Sequence, residues 1–332
     1  MLLLTAFTVE NFRGIRQGTV SGLTDVNVII GRNNSGKTTL LEAMHRGRAR
    51  NAGNVLGVHN QDYWMGVRCE SRDESNSATE KAVLALEFRF TDIQQDGRLL
   101  DVVALWEKAP LSHSWPNTKV QSVTPSDLVG KPLLAAVHTA VVQSSSRIAS
   151  FRPPDAANTG IEAKLWAQLL GDRSDKKLAA ALNDVFGLQA ESFQLLPSGK
   201  LIVLFENHSV PLDAQGDGTR AAMRCLMLLT ALKQTMFILE EPECHQHPGS
   251  LERFALAVCK LAKQNEVQLM ISTHSGECVK AFLKAAEAAK SDSALFHLSL
   301  ADGIQTARRL DADAVETLQN TGIDVRFLDL YS

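Results

Sequence analysis

The sequence predicts an α/β protein with a mixed central sheet, an antiparallel β subdomain and a helical lobe. From residue 201 onward, short apolar stretches alternate with longer stretches of helical spacing, which predicts a parallel sheet covered by helices. Residues 84–106 alternate apolar and polar positions about an Asp96-Gly97 turn, a pattern typical of an antiparallel hairpin. Leucines at helical intervals over 161–187 predict the helical lobe.

Composition excludes several classes of protein. The chain has 332 residues, 45% of them apolar and 21% charged, which is enough to bury a full core. No window approaches the roughly 18 consecutive apolar residues of a membrane helix, and the start does not read as a signal peptide, so we expect a cytoplasmic protein without a membrane partner. The net charge of −3 does not by itself indicate a nucleic-acid binder. Five scattered cysteines favour a reducing compartment: Cys69, Cys225, Cys244, Cys259 and Cys278.

The individual elements follow from local patterns. Before the first glycine-rich loop, the predicted strands are Leu4–Val9, Gly18–Ser21 and Val26–Ile30, and a helix is predicted from Thr38 toward Arg50. Residues 51–80 are predicted to form a mobile surface loop because they contain few apolar positions. Later strands are predicted at 201–205, 236–239, 267–272 and 294–299, and helices at 219–233, 250–264 and 275–290.

A glycine-rich loop follows the third predicted strand. Its sequence, Gly31-Arg32-Asn33-Asn34-Ser35-Gly36-Lys37-Thr38, matches G-x-x-x-x-G-K-[ST] in full, between a strand and a helix. Glycines let backbone N–H groups turn toward phosphate oxygens, Lys37 supplies positive charge, and the Thr38 hydroxyl can bind Mg²⁺. This stretch predicts an ATP site. The predicted nucleotide-binding residues are Gly31, Asn33, Asn34, Ser35, Gly36, Lys37, Thr38 and Thr39, with Lys37 also catalytic.

An apolar strand, Met236–Leu239, leads into the acidic stretch Glu240-Glu241-Pro242-Glu243. A buried strand of a parallel sheet delivers such carboxylates to the edge where the phosphate loop lies. We assign Glu240 to the magnesium ion and Glu241 to the general base that activates water. The alternative is a solvated acidic turn.

A second apolar strand, 267–272, ends at Ser272-Thr273-His274. A histidine at a strand end can donate to the γ-phosphate or report its presence, so His274 is predicted to be catalytic. A structural histidine is the alternative.

Small and polar residues precede the predicted helix at 219–233. Gly216, Asp217 and Gly218 stand at its start, and a helix N-terminus with glycines is a site for anions. Because one nucleotide does not need two such sites in one chain, these residues are predicted to contact ATP bound to a partner. An ordinary helix N-cap is the alternative.

In this order, the four stretches resemble the ABC-type ATPase heads of the RecF, SMC and OLD (overcoming lysogenization defect) relatives. The start Phe7–Gly14 resembles the "x-NFR-x" start of these heads, and Glu240–Glu243 with His247-Pro248 resembles their extended Walker B. Ser272–Ser275 is similar to their switch-histidine segment, and Gly216–Arg220 to their signature motif. The resemblance implies a P-loop NTPase fold of ABC-ATPase type.

The resemblance also implies a single head over 1–332. Its parts are the N-terminal strands and P-loop (1–50), a loop and antiparallel β insertion (51–150), a helical lobe with the signature segment (151–235), and the Walker B, switch histidine and C-terminal α/β part (236–332).

Two positions depart from the family pattern. Gln246 replaces the leucine before His-Pro, which we expect to alter only local packing, and Gly216 or Asp217 replaces the signature serine, which is expected to weaken contacts to the partner's γ-phosphate. OLD nucleases continue into a Toprim domain for which the chain after His274 offers no room. We therefore expect a separate effector such as a nuclease or toxin.

The family mechanism implies that ATP and Mg²⁺ close a homodimer and that hydrolysis opens it. We predict the ATPase and sensor subunit of a prokaryotic anti-phage defence or DNA-repair complex. The alternatives are a RecF-like clamp on DNA and a nucleotide-binding scaffold with little hydrolysis. Arginines near the first helix and in the following loop form either a DNA-binding face or ordinary surface: Arg46, Arg48, Arg50, Arg68 and Arg72. Arg147 is predicted to contact the nucleotide or to hold the lobes together. A metal site at Cys244, His245 and His247 is a further alternative.

Overall fold

The computed structural model describes residues 3–49, 63–71, 82–93, 99–108, 121–122, 149–151, 166, 169–171, 173–196, 201–232, 236–244 and 246–330. The chain divides into two units. The first contains residues 1–24, 31–148 and 297–309, and the second contains residues 25–30, 149–296 and 310–332.

Strands and helices follow one another along the described residues. The strands are β1 (Leu3–Phe12), β2 (Ile15–Ser21), β3 (Val26–Ile30), β4 (Tyr63–Ser71), β5 (Ala82–Ile93), β6 (Leu99–Lys108), β7 (Gln121–Ser122), β8 (Ala149–Phe151), β9 (Ser192–Leu195), β10 (Leu201–Leu204), β11 (Ser209–Pro211), β12 (Met236–Glu240), β13 (Gln268–Ser272), β14 (Ser293–Ala301) and β15 (Ile304–Asp311). The helices are α1 (Lys37–Ala49), α2 (Asp175–Phe186), α3 (Asp217–Ala231), α4 (Pro248–Gln264), α5 (Gly276–Ala288) and α6 (Ala312–Asn320), and two short 3₁₀ segments cover 212–214 and 325–330.

The first unit is built on a sheet with the order β7-β4-β5-β6-β1-β2-β15. Neighbours pair antiparallel from β7 to β2, whereas β15 runs parallel to β2 and places Gln305 beside Gly18. In β2 the buried positions are Ile15, Gly18 and Val20, and the residues between them are exposed. Gly18 and Val20 are two residues apart and share one face of the strand, whereas Ile15, at the start of the strand, lies on the other face.

The second unit contains four parallel strands in the order β3-β13-β12-β8. Strands β3, β12 and β13 are buried along their whole length, as expected for parallel strands that are covered on both faces. A separate antiparallel sheet has the order β11-β10-β9. The predicted parallel sheet is therefore confirmed, and so is the predicted antiparallel segment, which is formed by β5 and β6 of the first unit.

Helix ends in the second unit have recognisable caps. Helix α4 begins with Pro248, and the His247 side chain accepts a hydrogen bond from the Gly249 N–H. Helix α5 begins after Ser275, whose hydroxyl accepts from the Cys278 N–H at 3.2 Å. These caps fix where each helix starts after the strand that precedes it.

Some sequence expectations need correction. Part of the predicted loop 51–80 is a strand, β4, which pairs with β5 along its whole length, so pairing rather than local composition decides its structure. Strands β9, β11 and β15 and helix α6 were not predicted, because they are short or carry few apolar residues. The predicted turn at Asp96-Gly97 lies outside the described residues.

The apolar core of the second unit supports a stability prediction. Phe282 of α5 is completely buried, and replacing it with alanine should lower the free energy of unfolding by roughly 3–5 kcal/mol through lost contacts and a cavity. Urea denaturation measures this loss. Phe327 is 41% exposed, so Phe327→Ala is the matched control and should cost far less. Equal losses in the two variants would contradict the described core.

Candidate functional site

The glycine-rich loop of the first unit is closed by its own lysine. The Lys37 ammonium, only 6% exposed, donates to the carbonyl oxygens of Gly31 at 2.7 Å and Arg32 at 3.0 Å. The Ser35 N–H donates to the Arg32 carbonyl at 3.2 Å. These bonds satisfy a buried charge and fold the chain into the curl that the motif predicts.

Two glycines of this loop have no room for a side chain. A Cβ at Gly31 would collide with the Leu298 carbonyl oxygen and lie 2.7 Å from the Ser35 hydroxyl. Gly36 has a φ of +82°, which disfavours any other residue, and a Cβ there would collide with the Gln305 amide nitrogen. The close approach of other groups, as well as the turn itself, therefore requires both glycines.

The polar residues of the loop differ in exposure. Asn33, Asn34 and Thr38 are exposed, and Thr39 is half-buried. Asn34 has a φ of +67°, a conformation that asparagine tolerates better than most residues. The buried Ser35 hydroxyl has no hydrogen-bond partner among the described residues. The loop thus presents amide and hydroxyl groups outward and keeps its cation inside.

Strand register in the second unit brings the predicted polar groups to one sheet edge. Glu240 of β12 is in register with Ser272 of β13, and Ser272 is in register with Ile29 of β3. Strand β3 ends at Ile30, and the glycine-rich loop begins with the next residue along the chain. Glu240 is itself only 7% exposed. The three strands therefore end at one edge of the sheet in the second unit, whereas the glycine-rich loop belongs to the first unit.

Glu241 and His274, predicted from separate motifs, meet at this edge. Glu241 Oε1 lies 3.5 Å from His274 Nε2, and about half of the glutamate side chain is exposed. The Glu241 backbone has a φ of +46° and donates its N–H to the Ser272 carbonyl at 2.8 Å. A non-glycine residue in this conformation costs energy and is often found at functional sites.

Glu243 organises the segment around His274, a role that the sequence did not reveal. Its Oε1 accepts a hydrogen bond from the Thr273 hydroxyl at 2.5 Å and from the His274 N–H at 3.3 Å. The Thr273 hydroxyl in turn accepts from the Ser275 N–H at 2.9 Å. A cleft of about 730 Å³ opens beside Glu243 and His274. The only sequence signal was the second glutamate of Glu-Pro-Glu.

Two cysteines lie near these carboxylates. The Cys244 thiol donates to Glu241 Oε2 at 3.7 Å, and burial, followed by the charges of Glu241 and Glu243, raises its pKa. Burial is also the main cause that raises the pKa of Cys278. Both thiols therefore stay protonated near neutral pH. Among the described residues, no group of three or more His, Cys, Asp or Glu side chains is placed to hold a metal ion, and His245 of the alternative metal site lies outside them.

The predicted signature segment begins helix α3. Gly216 occupies the N-cap position without a side-chain cap, and Asp217 pairs with Arg220 in the first turn. Gly216 and Asp217 are exposed. Gln246 donates from its amide nitrogen to the Gly218 carbonyl at 2.7 Å, so this departure from the family pattern affects more than the expected packing and links the acidic segment to α3.

Several sequence predictions fall where side chains are not described. Residues Arg50, Arg72, Arg147 and His245 lie outside the described residues, and for Arg46, Arg48 and Arg68 only the backbone is described.

Comparison with known proteins adds to this geometry. Residues 3–51 and 159–279, just over half of the chain, match the AAA ATPase domain family. The chain belongs to this family. It is therefore an ATP-binding ATPase, and the matched ranges contain the glycine-rich loop, Gly216–Gly218, Glu240, Glu241 and His274.

Other similar proteins are more distant. An uncharacterized protein of Methanocaldococcus jannaschii is 27% identical over 113 residues, which cover 33% of this chain and 98% of that protein. A solved SMC head bound to the C-winged helix domain of ScpA has a TM-score of 0.53 at 12% identity and covers 93% of this chain and 98% of its own. The SMC head domain from Thermotoga maritima has a TM-score of 0.49 at 14% identity, and the match covers 93% of this chain and 99% of that domain. The fold of this AAA ATPase domain protein is that of an SMC head, a P-loop ATPase fold with a mixed sheet.

Membrane insertion through a helix finds no support in the described parts of this protein, because none of their helices is both long and apolar enough to cross a bilayer.

The Thr273 hydroxyl provides a test of the network around Glu243. Thr273→Val keeps the shape but removes both hydrogen bonds. The free energy of unfolding should fall by roughly 1–3 kcal/mol, because the partly buried Glu243 oxygen loses one of its two donors and the Ser275 N–H loses this acceptor. ATP turnover should fall as well, because the His274 backbone is less firmly held. Thermal or urea unfolding and phosphate release measure the two effects. Thr317→Val, at an exposed helical position, should change neither stability nor phosphate release. Wild-type stability and phosphate release in Thr273→Val would contradict this description.

Proposed function

We propose that this chain is an ATP-driven molecular switch in which Glu241 is the general base and His274 assists it. The contact between Glu241 Oε1 and His274 Nε2, 3.5 Å apart at the end of parallel strands, carries the proposal. In this scheme residues 31–39 bind the phosphates. The Lys37 ammonium, which donates to the carbonyl oxygens of Gly31 and Arg32, would turn from these carbonyls to the phosphates and neutralise their charge.

Geometry at Glu241 supports the role of a base. Its side chain is half exposed, so a water molecule can reach it, and one oxygen accepts from the Cys244 thiol while the other faces His274. A carboxylate that is held by two neighbours is oriented before the reaction, which lowers the cost of positioning it. The raised pKa of Cys244 keeps that thiol a hydrogen-bond donor.

Magnesium fits the donor chemistry of the proposed ligands. Thr38 offers an exposed hydroxyl and Glu240 a carboxylate at a strand end, and Mg²⁺ prefers a few such oxygen ligands together with phosphates and water. Bound there, the ion would neutralise charge on the phosphates.

We propose that ATP joins two copies of the chain. The start of α3 is exposed at Gly216 and Asp217, and its N–H groups form an end that attracts anions, which suits contact with ATP on a second copy. Because the γ-phosphate would then bind across the interface only in the closed dimer, ATP would favour closure and hydrolysis would favour opening.

A separate protein is the proposed recipient of this motion. The solved SMC head of the same fold is bound to the C-winged helix domain of ScpA, and we propose by analogy that this chain also acts through a partner protein. We propose an effector of an anti-phage defence or DNA-repair complex in that position.

The variant Glu241→Gln tests the proposed base. It keeps the size of the side chain but replaces one acceptor oxygen with an NH₂ group and cannot accept a proton, so phosphate release should fall by roughly 10²–10⁴-fold. ATP binding should persist, and ATP should hold the variant in the dimer because opening requires hydrolysis. Light scattering with and without ATP and Mg²⁺ measures the mass in the same samples.

The matched control for this experiment is Glu252→Gln, an exposed position of α4, which should behave as the wild type. Equal turnover in the wild type and Glu241→Gln would show that Glu241 is not the base. If the molecular mass of the wild type and of Glu241→Gln is the same with and without ATP, the two-copy switch is overturned.

Gln246→Leu separates the signature contact from the rest of the site. This change restores the residue of the family pattern and removes the hydrogen bond to Gly218, so α3 is no longer tied to the acidic segment. We expect unchanged ATP affinity in dilute monomer and a several-fold higher protein concentration for ATP-driven dimerisation. Nucleotide titration and concentration-dependent light scattering measure the two. Loss of ATP affinity itself would contradict a role limited to the dimer.

A further inference from the structure

Gln305 is a buried polar residue that belongs to none of the sequence motifs. It lies on β15 with 4% of its surface exposed, beside Gly18 of the parallel strand β2. Its amide nitrogen donates to the carbonyl oxygen of Ser35 at 2.9 Å, and Ser35 stands in the middle of the phosphate-binding loop. A residue 270 positions away along the chain therefore contacts the loop directly.

Two glycines leave the space that this amide occupies. A Cβ at Gly18 would lie 3.0 Å from both the Gln305 Cβ and its Oε1, which is tighter than ordinary packing allows. A Cβ at Gly36 would collide with the Gln305 amide nitrogen. Gly36 of the glycine-rich motif thus has a second purpose in this chain, because it also gives the glutamine access to the loop.

The hydrogen bond fixes the orientation of one peptide unit. In a trans peptide the C=O and the N–H of the same unit point in opposite directions. Gln305 holds the Ser35 carbonyl, so the N–H of Gly36 in that unit must point away from Gln305. Phosphate binding by such a loop depends on N–H groups that are already oriented before the anion arrives.

We infer that Gln305 is a positioning residue for phosphate binding, which holds the Ser35–Gly36 peptide in the orientation that offers its N–H to the nucleotide. A side chain that only filled the space would not need an amide. Burying an amide costs free energy unless it forms hydrogen bonds, and the Gln305 Oε1 has no hydrogen-bond partner among the described residues. The amide supplies a hydrogen bond to the Ser35 carbonyl oxygen, and an apolar side chain of the same length cannot form it.

The variant Gln305→Met tests this inference. Methionine has the same length and fits a buried position, but it cannot donate to Ser35. The KM for ATP and the dissociation constant of a fluorescent ATP analogue should rise about tenfold, the effect of one hydrogen bond. The kcat should change less than about twofold, because the oriented N–H binds phosphate in both the ground state and the transition state.

Stability separates positioning from packing. The thermal midpoint of Gln305→Met without nucleotide should stay near that of the wild type, since methionine avoids the cost of a buried amide. Gln305→Glu is the second variant: it is isosteric, and its carboxylate would face the Ser35 carbonyl, so ATP affinity should fall further than in Gln305→Met. Gln17→Met is the matched control, an exposed glutamine of the adjacent strand β2, and should bind ATP as the wild type does.

The outcomes are distinguishable. A lower thermal midpoint with unchanged ATP affinity in folded Gln305→Met would assign Gln305 to packing alone and overturn the inference, and so would wild-type behaviour of both Gln305 variants. The inference rests on ATP binding at residues 31–38, so failure of the wild type to bind the ATP analogue would instead refute the proposed function.

Discussion

Parallel pairing of β3, β13 and β12 is the constraint on which the candidate site depends. The register places Ile29, Ser272 and Glu240 side by side, so three strands end at one edge of the sheet. Each strand is buried along its length and mostly apolar, with Asn27 and Gln268 as buried polar residues, and Glu240 and Ser272 stand at the strand ends. A shift of one residue in this register would move Glu240 out of line with Ser272 and Ile29, so the strand pairing also sets the position of this carboxylate.

Polar groups beyond the strand ends are held by one another. Glu243 accepts from Thr273 and His274, and Glu241 is fixed through its own N–H to Ser272. In partly buried surroundings such bonds offset the cost of removing charged groups from water. The positive φ of Glu241 persists for the same reason, because the bonds around it determine the backbone more strongly than its local preference does.

Contiguous motifs made much of the site predictable. The loop 31–38 contains its glycines, lysine and threonine in one stretch, so its curl follows from local sequence, and the Lys37 bonds to Gly31 and Arg32 are local as well. Glu241 and His274 were predictable for a related reason, since each follows an apolar strand and parallel strands share an edge. By contrast, β4 was predicted to be a loop because its strand structure comes from pairing with β5.

The sequence by itself determined the α/β class, the phosphate loop and the strand-end carboxylates, because each depends on the order of neighbouring residues or on the period of apolar positions. Only the tertiary structure decided that Gln305 reaches Ser35, that Gln246 reaches Gly218 and that Glu243 holds the His274 backbone. Each of these bonds joins residues 28 or more positions apart. Such pairs leave no local signal, since a glutamine or glutamate has the same sequence appearance whether its side chain is in solvent or bonded to a distant backbone.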